Sequence, residues 1–145
     1  MQDPQPEELN KIQLHQLADE LLLGDQSAIQ SCVQFIQAET RGIWHGRARA
    51  KMCRRLKHID LPSHLQSQLV QCITRRLTRG VFSEQFKDQL RLVMVLDSPY
   101  LIRAAEQSIN SEMAHVARLS SWVIVRHKER IARIARATQS KQERT

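Results

Sequence analysis

Apolar residues recur every three to four positions along most of this chain, the spacing of helices that each bury one face. Leu14, Leu17, Ala18 and Leu21 form the first stripe, on a helix expected from about Glu7 to Leu23 and ended by Gly24. Asp25 stands where its carboxylate can cap a second helix, with Ala28, Ile29, Cys32, Val33 and Ile36 inward. A third helix, roughly Gly42 to His58, shows Trp44, Ala48, Met52 and Leu56 one turn apart. Asp60-Leu61-Pro62-Ser63 opens a fourth, with Ser63 and Gln66 at capping-box spacing. Its inward face is Leu65, Leu69, Ile73 and Leu77, and Gly80 closes it. Ser83 is placed to cap a fifth helix packing Phe86, Leu90, Val93 and Leu96. Pro99 suits the first turn of a sixth, where its missing N–H costs nothing, with Ile102, Ala105 and Ile109 on one face. Ser111 is placed to cap a long last helix carrying Val116, Val123, Ile131 and Ile134 inward.

Past Thr138 nothing is left to bury, so residues 1–138 read as one domain and 139–145 as a fraying tail. Composition agrees with an all-α chain. Hydrophobic residues make up 41% and charged residues 26% of 145 residues, enough for a core. Four Gly and four Pro are too few for the turns of an all-β protein.

The stripes also repeat. Asp25, Asp60 and Asp97 lie 35 and 37 residues apart, each after an apolar helix end and before another amphipathic helix. Two share the form Asp-x-Pro, Asp60-Leu61-Pro62 and Asp97-Ser98-Pro99. A period in this range with two helices per unit signals an α-solenoid. The alternative is a plain bundle in which Asp recurs only as a helix cap.

The stretch Leu96-Asp97-Ser98-Pro99-Tyr100-Leu101-Ile102-Arg103-Ala104-Ala105 resembles the second half of a HEAT-type repeat, of the armadillo/HEAT class. Asp97, Ile102, Arg103 and Ala105 match the family pattern of Asp in the turn, then a branched apolar residue, Arg and small residues. The resemblance implies about three antiparallel helix pairs in a right-handed array, followed by a long C-terminal helix. It also implies structural roles for Asp97 and Arg103, tying successive repeats together. By motif it covers one unit: after Asp60 the Arg is replaced by Gln66, and after Asp25 the corresponding residues are Gln30 and Ser31.

Charge supplies the functional clue. The net +7 is unevenly placed: residues 1–39 hold seven acids against one base, and residues 40–80 ten bases against one acid. Residues 126–145 add a further excess of five positive charges. Arg47, Lys51, Arg54 and His58 form a stripe at i, i+4, i+7 and i+11 on the third helix, inside an acid-free interval from Thr40 to Ile59. Arg41, Arg49, Arg55 and Lys57 enlarge the field, and Arg75, Arg76 and Arg79 lie beyond them on the fourth helix. Arg126, Arg130 and Arg133 form a second stripe on the last. One reading is a surface that docks an anionic protein partner or the phosphates of a nucleic acid. The other is internal, with the acidic first two helices neutralising the third, and with Arg55 and Arg76 covering apolar surface by their stems. Trp44, Trp122, Tyr100, Phe35, Phe82 and Phe86 fall mostly on packing faces, which argues against base stacking.

No catalytic motif, phosphate loop or metal-ligand spacing occurs, so neither a cofactor nor a metal is expected. Cys53 and His58 are off a common helical face, and His58 and His64 straddle a turn without a third ligand. Glu84 and Asp88, beside Lys87 and Arg91, read as a surface ion-pair cluster. Cys32, Cys53 and Cys72 sit on apolar faces and read as reduced thiols of a cytoplasmic protein. No apolar run approaches a membrane span, and the acidic start is the reverse of a signal peptide. The expectation is a non-enzymatic helical-repeat scaffold with a basic binding surface. Nucleic-acid binding through phosphates is the alternative, and an enzyme of dispersed residues a third.

Overall fold

A computed structural model describes residues 5–38, 40–82 and 85–144. Among these residues the chain is all-α, with no strand. A short 3-10 turn at Pro6–Glu8 precedes six helices: α1 (Lys11–Leu21), α2 (Gln26–Gln37), α3 (Ile43–Leu56), α4 (Ser63–Arg79), α5 (Phe86–Ser108) and α6 (Ala114–Glu143).

Local chemistry sets most boundaries. Asn10 and Gln13 form a reciprocal capping box at the start of α1, each side chain accepting from the other's backbone N–H at 2.9 Å. The helix therefore begins at Lys11, later than the acidic Glu7 suggested. Asp25 caps α2 as expected, its Oδ1 accepting from the Ser27 N–H at 2.9 Å. The capping box expected at Ser63 and Gln66 does not form. Pro62 is the N-cap of α4 without a side-chain bond, and Gln66 Nε2 instead donates to the Leu61 carbonyl at 2.7 Å. Gly80 ends α4 with φ +71°, and the Val81 N–H returns to the Arg76 carbonyl at 3.1 Å. Ser111 does not cap α6: it lies before the N-cap Met113 and accepts from that residue's N–H at 3.2 Å. Ser83 lies outside the described residues.

The fifth and sixth expected helices are the two halves of α5, which meet at a kink at Asp97 (φ −160°, ψ 79°) where the backbone leaves the helical region. Asp97 Oδ1 accepts from the Tyr100 N–H at 3.2 Å, so it still caps the second half of α5, and Pro99 occupies the first turn beyond the break. The link differs from the other two for a local reason. Gly24 supplies a left-handed residue before Asp25, and a stretch ending in Leu61-Pro62 separates α3 from α4, whereas only Asp97 leaves the helical region here.

α1 packs on α2 and α3, α2 on α3 and α4, α3 on α5, α4 on α5 and α6, and α5 on α6. The second expected pair, α3 with α4, packs more on neighbouring helices than on itself. One connected core runs through the array, from Leu14 and Leu21 through Met52, Leu69 and Leu90 to Val123. Most inward positions are where periodicity put them. The exceptions are Trp44 and Ile109 at the surface, and Ile131 and Ile134, which are 53% and 58% exposed. Every described residue of α6 from Ile131 onward is exposed, yet helical through Glu143, beyond the expected fraying point. The apolar stripe of α6 outruns the helices it packs on.

Candidate functional site

Six of the side-chain bonds between elements join residues 34 to 37 positions apart. His45 Nε2 reaches the Leu9 carbonyl at 2.8 Å, and Lys51 Nζ lies 3.4 Å from His15 Nδ1, both 36 residues apart. Arg55 donates to the Ala18 carbonyl, 37 residues away. Three links at one offset hold α1 and α3 parallel and in register. Arg54 to Asp88 (34 residues), His115 to the Gly80 carbonyl (35) and Arg130 to the Met94 carbonyl (36) extend the same spacing along the chain.

That register builds a groove of about 340 Å³ between α1, α3 and α5. Its floor is apolar, with Leu14, Ala18, Ala48 and Ala50; its rim carries Arg47, Lys51 and Arg54 from α3, joined by Lys11 and His15 from α1. Asp88 is the one carboxylate in the lining among the described residues, and its side chain is only 16% exposed. It is held by Arg54 at 2.9 Å and Arg91 at 3.2 Å. Trp44, read from the sequence as inward, is 44% exposed, because it stands at the open mouth of α3 beside the shorter α1. Lys11 Nζ sits 3.9 Å from its ring centre and the Arg47 guanidinium 5.3 Å, so two rim cations are laid over an aromatic face.

Asp88 also connects this groove to a second. Arg91 passes from Asp88 to the Trp122 ring, 5.3 Å away, and lines a groove of about 320 Å³ between α5 and α6. Lys57, Arg126, Arg130 and Arg133 line it too, with no carboxylate. Arg126 is tied to Glu129 at 3.5 Å and Arg130 to backbone, which leaves Lys57 and Arg133 without an ion-pair partner among the described residues. Basic side chains thus line both grooves, with Asp88 and Arg91 between them.

Other expected members lie elsewhere. Arg75 and Arg79 line grooves on α4 rather than joining Arg47, because α4 packs on α2, α5 and α6. Arg75 shares one such groove with Arg103 and Tyr100. Arg103 is exposed and has no ion-pair partner among the described residues. His58 stands exposed in the turn after α3, and Asp60 is exposed in the link to α4.

Two arginines counted in the basic field are not surface groups. Arg49 is buried and donates to the Thr40 carbonyl and hydroxyl; Arg76 is buried and donates to the Gln37 carbonyl at 3.0 Å and Gln89 Oε1 at 2.9 Å. Burial, and then the neighbouring Arg76, push the proton affinity of Arg49 below the usual guanidinium range. Arg55 is likewise turned inward to α1, pairing with Asp19 at 3.1 Å. That is the one ion pair joining the acidic N-terminal helices to α3 among the described residues, and it uses neither Arg47 nor Lys51. Glu84 lies outside the described residues, while Asp88 pairs with Arg91 as expected and with Arg54 besides.

Lys11, His15, Arg91 and Asp88 were not singled out as binding residues from sequence, since no local pattern joins them to α3. The usable signal was a spacing: His15 and Lys51 are 36 residues apart, close to the separations of Asp25, Asp60 and Asp97. No group of three or more His, Cys, Asp or Glu among the described residues could hold a metal. No described helix is long and apolar enough to cross a membrane. The chain matches no family model, no curated protein and no solved structure.

Proposed function

We propose that this chain is a non-enzymatic, HEAT-like helical-repeat module that docks an acidic segment of a protein partner in the groove of α1, α3 and α5. The observation that carries the reading is the pairing of an apolar floor with the Arg47, Lys51 and Arg54 rim. An apolar side chain of the partner enters between Leu14 and Ala48, and its carboxylates meet Lys11, Arg47 and Lys51. Phosphodiester backbones have nothing to place on such a floor. Three unpaired thiols suit a reducing, cytoplasmic setting.

The solenoid reading draws support from direction. α6 begins beside Gly80 and climbs in step with the first half of α5: the Lys87 ammonium is 5.2 Å from the Trp122 ring centre, and Arg130 reaches Met94. A straight 23-residue α5 would be about 35 Å long, at 1.5 Å per residue. The five residues before Ala114 span at most about 20 Å, so they could not bring the chain back alone. Asp97 is then the turn between an outgoing and a returning helix, which makes a third pair.

A specific observation favours nucleic acid as the second reading: the carboxylate-free lining of the α5–α6 groove. Fluorescent probes separate the two. An amphipathic acidic peptide of alternating Glu and Leu should bind the chain, and Arg47→Glu with Lys51→Glu should weaken it at least tenfold. A random-sequence oligonucleotide should bind more weakly than the peptide at moderate salt. Oligonucleotide binding that is tighter, falls steeply with salt and survives the double change would favour the second reading instead.

A further inference from the structure

The two ends of the array present complementary faces that the chain itself leaves uncovered. At one end, α1 packs chiefly on α2 and α3 among the described residues. Its outer stripe, Ile12, Gln16 and Glu20, keeps helical spacing and is exposed, Ile12 at 68%, and Leu23 in the turn after it is 83% exposed. Leu22 beside it is 68% exposed. At the other end, α6 projects past α4 and α5, and Ile131, Ile134 and Ala135 make an exposed strip at i, i+3 and i+4. These are not scattered surface apolars. Ile131 and Ile134 continue the stripe that Val116 and Val123 bury upstream.

Charge decides what covers them. The far end of α1 exposes Asp19 and Glu20, with Asp25 in the turn after it, while residues 126–145 carry seven bases and two acids. Two α6 ends would repel each other, and so would two α1 ends. An α6 end on an α1 end pairs Arg133 and Arg136 with carboxylates such as Glu20, over apolar contact between Ile131 or Ile134 and Ile12 or Leu23. A helical stretch of 13 residues with nothing against it is also marginal in water, which favours an occupied state.

We propose that copies of this chain associate head to tail, the projecting basic end of α6 in one copy seating on the acidic outer face of α1 in the next. The interface is heterologous, so each copy keeps one free head and one free tail, and growth continues unless the rotation closes a ring. The α1–α3 groove takes no part, so this association stands or falls separately from the docking function above.

Sedimentation velocity over a concentration series tests it. The wild-type chain should exceed its 16.8 kDa monomer mass increasingly with concentration, and less so as salt rises. A tail-blocked variant, Ile131→Glu with Ile134→Glu, and a head-blocked variant, Ile12→Lys with Glu20→Lys, should each remain monomeric alone. Mixed in equal amounts they should form a species of twice the monomer mass and no larger, because the mixture holds one live head and one live tail per pair. All four positions are exposed, so folding should survive, which circular dichroism checks; Arg133→Glu with Arg136→Glu blocks the tail by charge alone. A wild type that stays monomeric at every concentration, an oligomer untouched by either variant, or a mixture that stays monomeric would overturn the proposal.

Discussion

Arg130 on α6 donates to the main-chain carbonyl of Met94 on α5 at 2.8 Å, and the Ser98 hydroxyl donates to the same oxygen at 3.1 Å. The carbonyl lies just before the break at Asp97, where the backbone leaves the helical region and the regular bonding of the turn is disturbed. A side chain from the next helix thus supplies what the interrupted helix lacks. Arg130 therefore has a folding role that its place in a basic stripe did not reveal.

Arg130→Ala should cost about 1–3 kcal/mol, the range for losing a charged donor to a buried acceptor. Arg133→Ala, one turn away and exposed, should change stability by less than about 0.5 kcal/mol. Urea melts of the two variants side by side check the contrast, with the midpoint moving for Arg130 alone.

Gly80→Ala should destabilise by about 2–3 kcal/mol. The left-handed φ of +71° costs a side-chain-bearing residue about 1–2 kcal/mol. A Cβ here would also stand 2.7 Å from His115 Nε2 and 2.9 Å from Met113 Sδ, pushing apart the junction where α6 begins. The His115 bond to the Gly80 carbonyl should loosen with it. Thermal and denaturant melts would show the loss, and Gly24→Ala, with open space around its Cβ, should cost less.

The helical stripes were legible because burial on one face leaves a period in the sequence whatever the partner. Leu65, Leu69, Ile73 and Leu77 needed no tertiary knowledge. Periodicity does not say where the partner helix stops, which is why Ile131 and Ile134 looked internal. Nor does it rank arginines. Arg47 and Arg49 sit two residues apart in one basic run, yet one rims a groove and the other is buried against Thr40 and the Phe35 ring. The α3 share of the groove was readable from spacing alone. The shares of α1 and α5 were not, because Lys11, His15 and Asp88 reach it only through the register of the fold.

The core itself yields a graded expectation. Leu69→Ala, fully buried, should cost about 2–5 kcal/mol and Ile102→Ala, half-buried, less. Ile134→Ala should be nearly silent in dilute solution, where α6 projects alone. Equal losses at Leu69 and Ile134 would mean that the end of α6 is covered within one chain.

The thiols carry a pH dependence of definite sign. Burial first, then nearby Glu20, raises Cys32 from 9.0 to about 12; burial first, then Asp88, raises Cys53 likewise to about 12. Below about pH 9 both thiols are protonated folded or unfolded, and their contribution is fully present. As pH climbs from about 9 toward about 12 the unfolded chain releases these protons first, so stability falls. Cys53→Ala should make that alkaline decline shallower in melts taken across the interval. A thiol reagent at neutral pH should label Cys72, which is half-buried, well before the other two.

The basic stripe separates into groups that differ in what they hold. Arg47, exposed, and Lys51, half-buried, have no carboxylate within ion-pair distance among the described residues, so the fold has no ion pair to lose at either. Reversing both to Glu should therefore leave the melt within about 0.5 kcal/mol of wild type. Arg54 is different: it touches the half-buried carboxylate of Asp88, which Arg91 also holds. Arg54→Gln should cost under about 1 kcal/mol, because Arg91 remains, whereas Arg54→Glu sets two carboxylates together and should cost about 1–2 kcal/mol. Adding Arg91→Gln to Arg54→Glu should cost more than the sum of the two changes, since Asp88 then keeps no cation. Binding should obey another order, with Arg47→Glu and Lys51→Glu most damaging and Arg54→Gln mild. A double variant at Arg47 and Lys51 that melts early but binds the acidic peptide normally would show these cations serving the fold and not the groove.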